Sequence, residues 1–158
     1  MTTSKDITFK KLPEVDNISE VINDVFGVQL DISGGWGYDT SMPVIINSLD
    51  IPKDQFFHMF GSIRANIQMN LSLEEDERYG AINVILDDKK KSTVDNFEYD
   101  IIKFKVSAIK EKEYAEFIQE YKDNYGKKEF DIGDHFKRRE ASTLKLIDTI
   151  YFRTNDEK

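Results

Sequence analysis

The sequence predicts one α+β domain: a mainly antiparallel sheet of about five to seven strands, with roughly two to four helices packed mostly on one of its faces. Three observations lead there. Ile63, Ala65, Ile67, Met69, Leu71 and Leu73 alternate with Arg64, Asn66, Gln68, Asn70 and Ser72, the period of a strand with one buried face. Two more alternating runs follow across polar turns, as in an antiparallel meander: Ile82, Val84, Leu86, then Ile102, Phe104, Val106, Ala108. Elsewhere the apolar spacing switches to threes and fours, the period of a helix laid on a core.

Taken in order, Ile7, Phe9 and Leu12 predict a short first strand that Pro13 ends. Asn17 and Glu20 stand at the spacing of a capping box, and Ile18, Val21, Ile22, Val25 and Phe26 form one helical stripe that Gly27 stops. Val28, Leu30 and Ile32 predict a strand, joined by the glycine-rich stretch to a second at Val44, Ile45 and Ile46, which begins at or just after Pro43. Pro52, Phe56, Met59 and Phe60 predict a short helix closed by Gly61. The run Glu74 to Glu77 turns the chain, and Asp87, Asp88 and Lys89 to Lys91 interrupt the next strand. Tyr114, Phe117, Ile118 and Tyr121 share a helix face within 110–124, and Gly126 caps it. Asp131 starts a short helix, and Leu144, Leu146, Ile150 and Phe152 predict a last strand interrupted at Asp148. The chain reads as one unit over 1–158, with frayed tails at about 1–5 and 154–158.

A chain of 158 residues can bury a sizeable core unaided, and with no cysteine it has neither disulfides nor thiolate ligands. This suits a reducing cytoplasm, and the residues contain no apolar stretch of membrane-spanning length. Thirty acidic against 22 basic residues leave a formal charge of −8, which disfavours nucleic acid and favours a basic partner.

The segment Ser33–Thr40 carries Gly34, Gly35 and Gly37 beside Trp36, Tyr38 and Asp39, so backbone can approach a ligand while aromatic rings offer stacking. Its spacing matches neither a dinucleotide fingerprint nor a phosphate loop, and a tight inter-strand connection with Trp36 at the core's end is the plainer explanation. His135 beside Asp134 and the cluster Lys137-Arg138-Arg139 suggest a base or an anion contact, against the plainer reading of a solvated helix face. Arg64, Asn66, Gln68 and Asn70 form a polar strip, covered either by water or by a partner. The two histidines lie outside any metal-ligand spacing, and no motif requires a metal or cofactor.

These features favour a small acidic binding module that occludes or sequesters a more basic partner protein, the role of immunity proteins and antitoxins, ahead of an enzyme. The competing expectations are a small-ligand pocket or enzyme beside Gly34–Thr40, and a homo-oligomer subunit.

Overall fold

A computed structural model describes residues 9–155. These residues form one α+β domain with four α-helices and a five-stranded, mostly antiparallel sheet. The elements are α1 (Ile18–Phe26), β1 (Ile32–Gly34), β2 (Val44–Ile46), α2 (Lys53–Asn66), β3 (Tyr79–Val94), β4 (Phe97–Lys110), α3 (Glu111–Asn124), α4 (Ile132–Ser142) and β5 (Leu144–Thr154). Strand order is β1-β2-β5-β4-β3, and β2 with β5 is the one parallel pair.

Local signals explain α1 and α4. Asn17 accepts a hydrogen bond from the Glu20 backbone N–H, and Gly27 closes α1 in the left-handed conformation at φ +69°. Asp131 caps α4 in the same way through the Asp134 backbone N–H. β2 begins directly after Pro43, as the sequence predicts.

The predicted strand over 63–73 is instead helix. α2 runs through Gly61 without stopping and passes into a π-helical turn, Ile67–Leu71, closed by Ser72 N–H donating to Ile67 O at 2.8 Å. At about 100° per residue, Gly61, Arg64, Ala65 and Gln68 fall on one side of this helix, and Phe56, Phe60, Ile63 and Ile67 on the adjoining one. Both sides are covered. An enclosed helix needs no single apolar stripe, so its alternation mimics that of a half-buried strand. Gly61 allows the close approach to the sheet: a Cβ there would lie 2.9 Å from Phe104 Cζ.

Other expectations shift for related reasons. Phe9 to Leu12 are not a strand, and Ile7 lies outside the described residues. Val28 and Leu30 precede β1, which starts only at Ile32. The acidic run folds as a 3-10 turn, Glu75–Glu77. The predicted meander is therefore a two-stranded hairpin, β3–β4. β3 continues through Asp87 to Lys91 because it is an edge strand, where charged side chains reach water and protect the edge. Bulges interrupt its register near Gly80 and Asp87, and Asp95 and Asn96, both with positive φ, make the two-residue turn. Thr154, expected in a frayed tail, ends β5, and Asn155 N–H donates to Ile46 O.

The core fills the space between α2 and one sheet face. Phe152 of β5 packs its ring 5.8, 4.7 and 5.6 Å from those of Phe56, Phe57 and Phe60. Ile102, Phe104 and Val106 of β4 extend the same layer.

Candidate functional site

Trp36, Tyr38 and Arg64 come from separate parts of the sequence and meet in space. Arg64 is 1% exposed. Its Nη1 donates to Trp36 O at 3.0 Å, and its Nη2 donates to Asp148 Oδ1 at 2.6 Å and to Thr149 O at 3.1 Å. The guanidinium also lies 4.2 Å from the Tyr38 ring centroid. Asp148 is thus the partner behind the break in the β5 pattern: it sits opposite Phe104, on the core side of the sheet, because a buried cation awaits it there.

The remaining polar groups of this region tie down the extended segment ahead of α1. Trp36, 2% exposed, donates its indole N–H to Pro13 O, and Tyr38 OH accepts from Leu12 N–H. Burial raises the Tyr38 hydroxyl above its ordinary pKa, opposed by that N–H and by Arg64. Gln68 donates to Phe9 O and Lys10 O. Asn66 donates to Ser62 O, and Asn70 to Tyr79 O and Glu111 Oε2. Each side chain of the polar strip thus bonds within the domain, Arg64 fully buried and Asn66, Gln68 and Asn70 partly accessible. A cavity of about 240 Å³ remains between Tyr38, Gln68, Asp148, Met69 and Leu146.

Asp39, Arg138 and His135 are not part of this cluster. Asp39 is an exposed turn residue whose carboxylate accepts from the Ser41 hydroxyl and backbone N–H, contacts that hold it below the usual carboxylate range. His135 is fully buried between α3 and α4, walled by Phe117, Tyr121, Phe130 and Phe136. Its Nδ1 is 2.5 Å from Glu120 Oε1, and Nε2 is enclosed without a partner among the described residues. A base so enclosed has no open face toward an external substrate.

Arg138 pairs with Glu120 and Asp134. Arg138 first, then His135, lowers the Glu120 pKa from its ordinary value. A carboxylate with a depressed folded pKa stabilises the fold above its unfolded pKa, and that contribution disappears as pH falls through the folded value. Acidification below the ordinary carboxylate range should therefore speed amide exchange in α3 and α4 before the sheet, and Glu120→Gln should remove this acid dependence.

The surface carries a segregation of charge that reading residues in small clusters overlooks. From Leu12 to Pro52 the chain holds Glu14, Asp16, Glu20, Asp24, Asp31, Asp39 and Asp50, and no lysine, arginine or histidine. All seven carboxylates are exposed. Among the described residues none of them forms an ion pair, whereas Asp54, Glu77, Asp87, Glu98, Asp100, Glu120, Asp134, Glu140 and Asp148 all do. The fold collects this segment at one side of the molecule, because α1 packs on β1 and β1 is an edge strand. A polar groove of about 460 Å³ opens there, lined by Asn17, Ser19, Glu20, Asn23, Asp31 and Asp50. Val25, 48% exposed, lies on the same helix. The signal was present in the sequence as a missing residue type rather than as a motif.

Among the described residues no group of histidine and carboxylate side chains is arranged to hold a metal ion, and no helix is long and apolar enough to cross a membrane. No family model matches the chain, nor does any curated protein or solved structure.

Proposed function

We propose that the protein is a binding module that captures a more basic partner protein along its α1–β1–β2 edge. The observation that carries this reading is the run of seven exposed carboxylates without an intervening cation or an ion-pair partner among the described residues. Such a surface raises the local concentration of a basic partner and speeds encounter, an effect that salt suppresses. In the groove, Glu20, Asp31 and Asp50 can receive lysine or arginine side chains, while Asn17 and Asn23 supply further polar contacts. Occlusion of a basic partner's own site, as by an immunity protein or antitoxin, is the role this surface suits.

The test is titration with the basic products of neighbouring genes at rising salt. Association should weaken steeply with salt, and Glu20→Lys/Asp24→Lys/Asp31→Lys should reduce affinity by about 100-fold, at roughly 1 kcal/mol for each reversed charge. Salt-insensitive association, or binding untouched by charge reversal, counts decisively against it.

A further inference from the structure

The sheet face turned away from α2 has the opposite character. On β4 and β5 the outward positions are Phe97, Tyr99, Ile101, Lys103, Lys105, Ser107 and Ile109, then Lys145, Ile147, Thr149, Tyr151 and Arg153, four cations without one carboxylate. The inward positions of the same strands hold Glu98, Asp100 and Asp148. Register sets the cations in rows: Ser107–Lys145, Ile85–Lys105–Ile147, Asp88–Lys103–Thr149, Lys90–Ile101–Tyr151 and Ser92–Tyr99–Arg153. Each row holds one cation, the Lys103 row also holding Asp88 of the edge strand, and rows two residues apart are separated by roughly 7 Å along the strands.

Apolar side chains are exposed among these charges. Ile85 and Ile147, 53% and 54% exposed, flank Lys105 across three strands, and a groove of about 460 Å³ runs between them beside Ser107 and Lys145. Farther along, Phe97 is 49% exposed, with the Arg153 guanidinium 4.1 Å from its ring centroid. Asp87 pairs with Lys105 and Glu140 with Lys145, while Lys90 and Lys103 have no carboxylate partner among the described residues.

We infer that this face docks an acidic polypeptide segment that presents carboxylates and aliphatic side chains together on one side. Every second residue of an extended segment faces the sheet at the row spacing, so carboxylates near the lysines and aliphatic side chains near Ile85, Ile101 and Ile147 both fall on that one side of the segment. Charge complementarity selects the sign of the partner: a chain of net charge −8 has exposed lysines here at positions where alternation would equally admit carboxylates. The exposed isoleucines favour polypeptide over nucleic acid, since phosphates would leave them without apolar partners while meeting the repulsion of the remaining surface. The inference is independent of the acidic edge, and a partner of the opposite charge distinguishes the two.

The full chain is titrated with a peptide of repeating glutamate-serine-leucine-serine, which sets glutamate and leucine on one side when extended, with its counterpart carrying lysine for glutamate, and with a single-stranded oligonucleotide of matching length, with amide NMR shifts locating the contact. The glutamate peptide should shift outward positions of β4 and β5. Lys103→Glu/Lys105→Glu and, separately, Ile147→Ser should each weaken it about tenfold or more. Lys103→Gln/Lys105→Gln, a milder neutralisation, should weaken it in the same direction if the reversed pair perturbs folding. The acidic-edge triple variant should bind it at least as well as the unaltered chain. Tighter binding of the oligonucleotide or lysine peptide overturns the inference. So does an absent response to the glutamate peptide, shifts confined to α1–β1–β2, or occupation of this face by a second copy of the chain.

Discussion

Replacing Arg64 by leucine is expected to lower the free energy of unfolding by about 3–5 kcal/mol, the cost of removing one member of a buried ion pair. Its two terminal nitrogens make three bonds, to a carboxylate and two backbone carbonyls, and all three acceptors lose their donor together. Asp148 then loses its cationic partner at a position only 21% exposed, beside the core face of the sheet. Urea unfolding at neutral pH measures the loss, and a change below about 1 kcal/mol contradicts the arrangement. Arg64→Leu/Asp148→Leu should recover much of it, because apolar replacement of both partners avoids the stranded charge. Recovery should stay incomplete, since Trp36 O and Thr149 O each remain without that donor, at about 1–3 kcal/mol for a buried acceptor left unsatisfied. A double-mutant cycle then isolates the coupling between the two side chains.

Gly37→Ala should cost a similar amount, about 2–5 kcal/mol, through a different cause. Gly37 has φ +87°, where an L side chain is strained by about 1–2 kcal/mol. Its Cβ would also lie 2.6 Å from Ile150 Cγ2, 3.0 Å from Tyr151 O and 3.1 Å from Val44 Cγ2, adding roughly 1–3 kcal/mol of overpacking. The close approach is built into the sheet: Gly37 N–H donates to Met42 O, and Gly37 O accepts from Tyr151 N–H. Gly126→Ala separates the two contributions. Gly126 has φ +83°, but a Cβ added there would meet nothing within 4 Å, so it should show the backbone strain alone. Equal losses at Gly37 and Gly126 in thermal or urea unfolding would show that crowding against β5 is absent.

These two results bear on function because both residues belong to the stretch and strip that look most like a ligand site in the sequence. Glycine at 37 serves close packing against β5, and Arg64 fixes the Trp36 carbonyl and Asp148. The indole of Trp36 is buried, leaving its ring no open face for stacking. The two proposed docking surfaces are instead defined by the distribution of charge.

Local signals in the sequence determined α1, β2, α3, α4 and β5 to within a residue or two, since caps, glycine stops and apolar spacing act between near neighbours. They also determined the α+β class and the two long strands' alternation. Tertiary structure alone decided the state of 63–71, because alternating apolar residues are satisfied either by a sheet with one wet face or by a helix covered on more than one side. It decided that Arg64 meets Asp148, 84 positions away, and so turned an apparent binding residue and an apparent pattern defect into one buried pair. Charge behaved in both ways. The cation-free stretch from Leu12 to Pro52 is written in the sequence, but only strand order gathers it at an edge and only register lines the lysines of β4 and β5 on one face. Periodicity reports which residues share a face; what covers that face depends on elements distant in the chain.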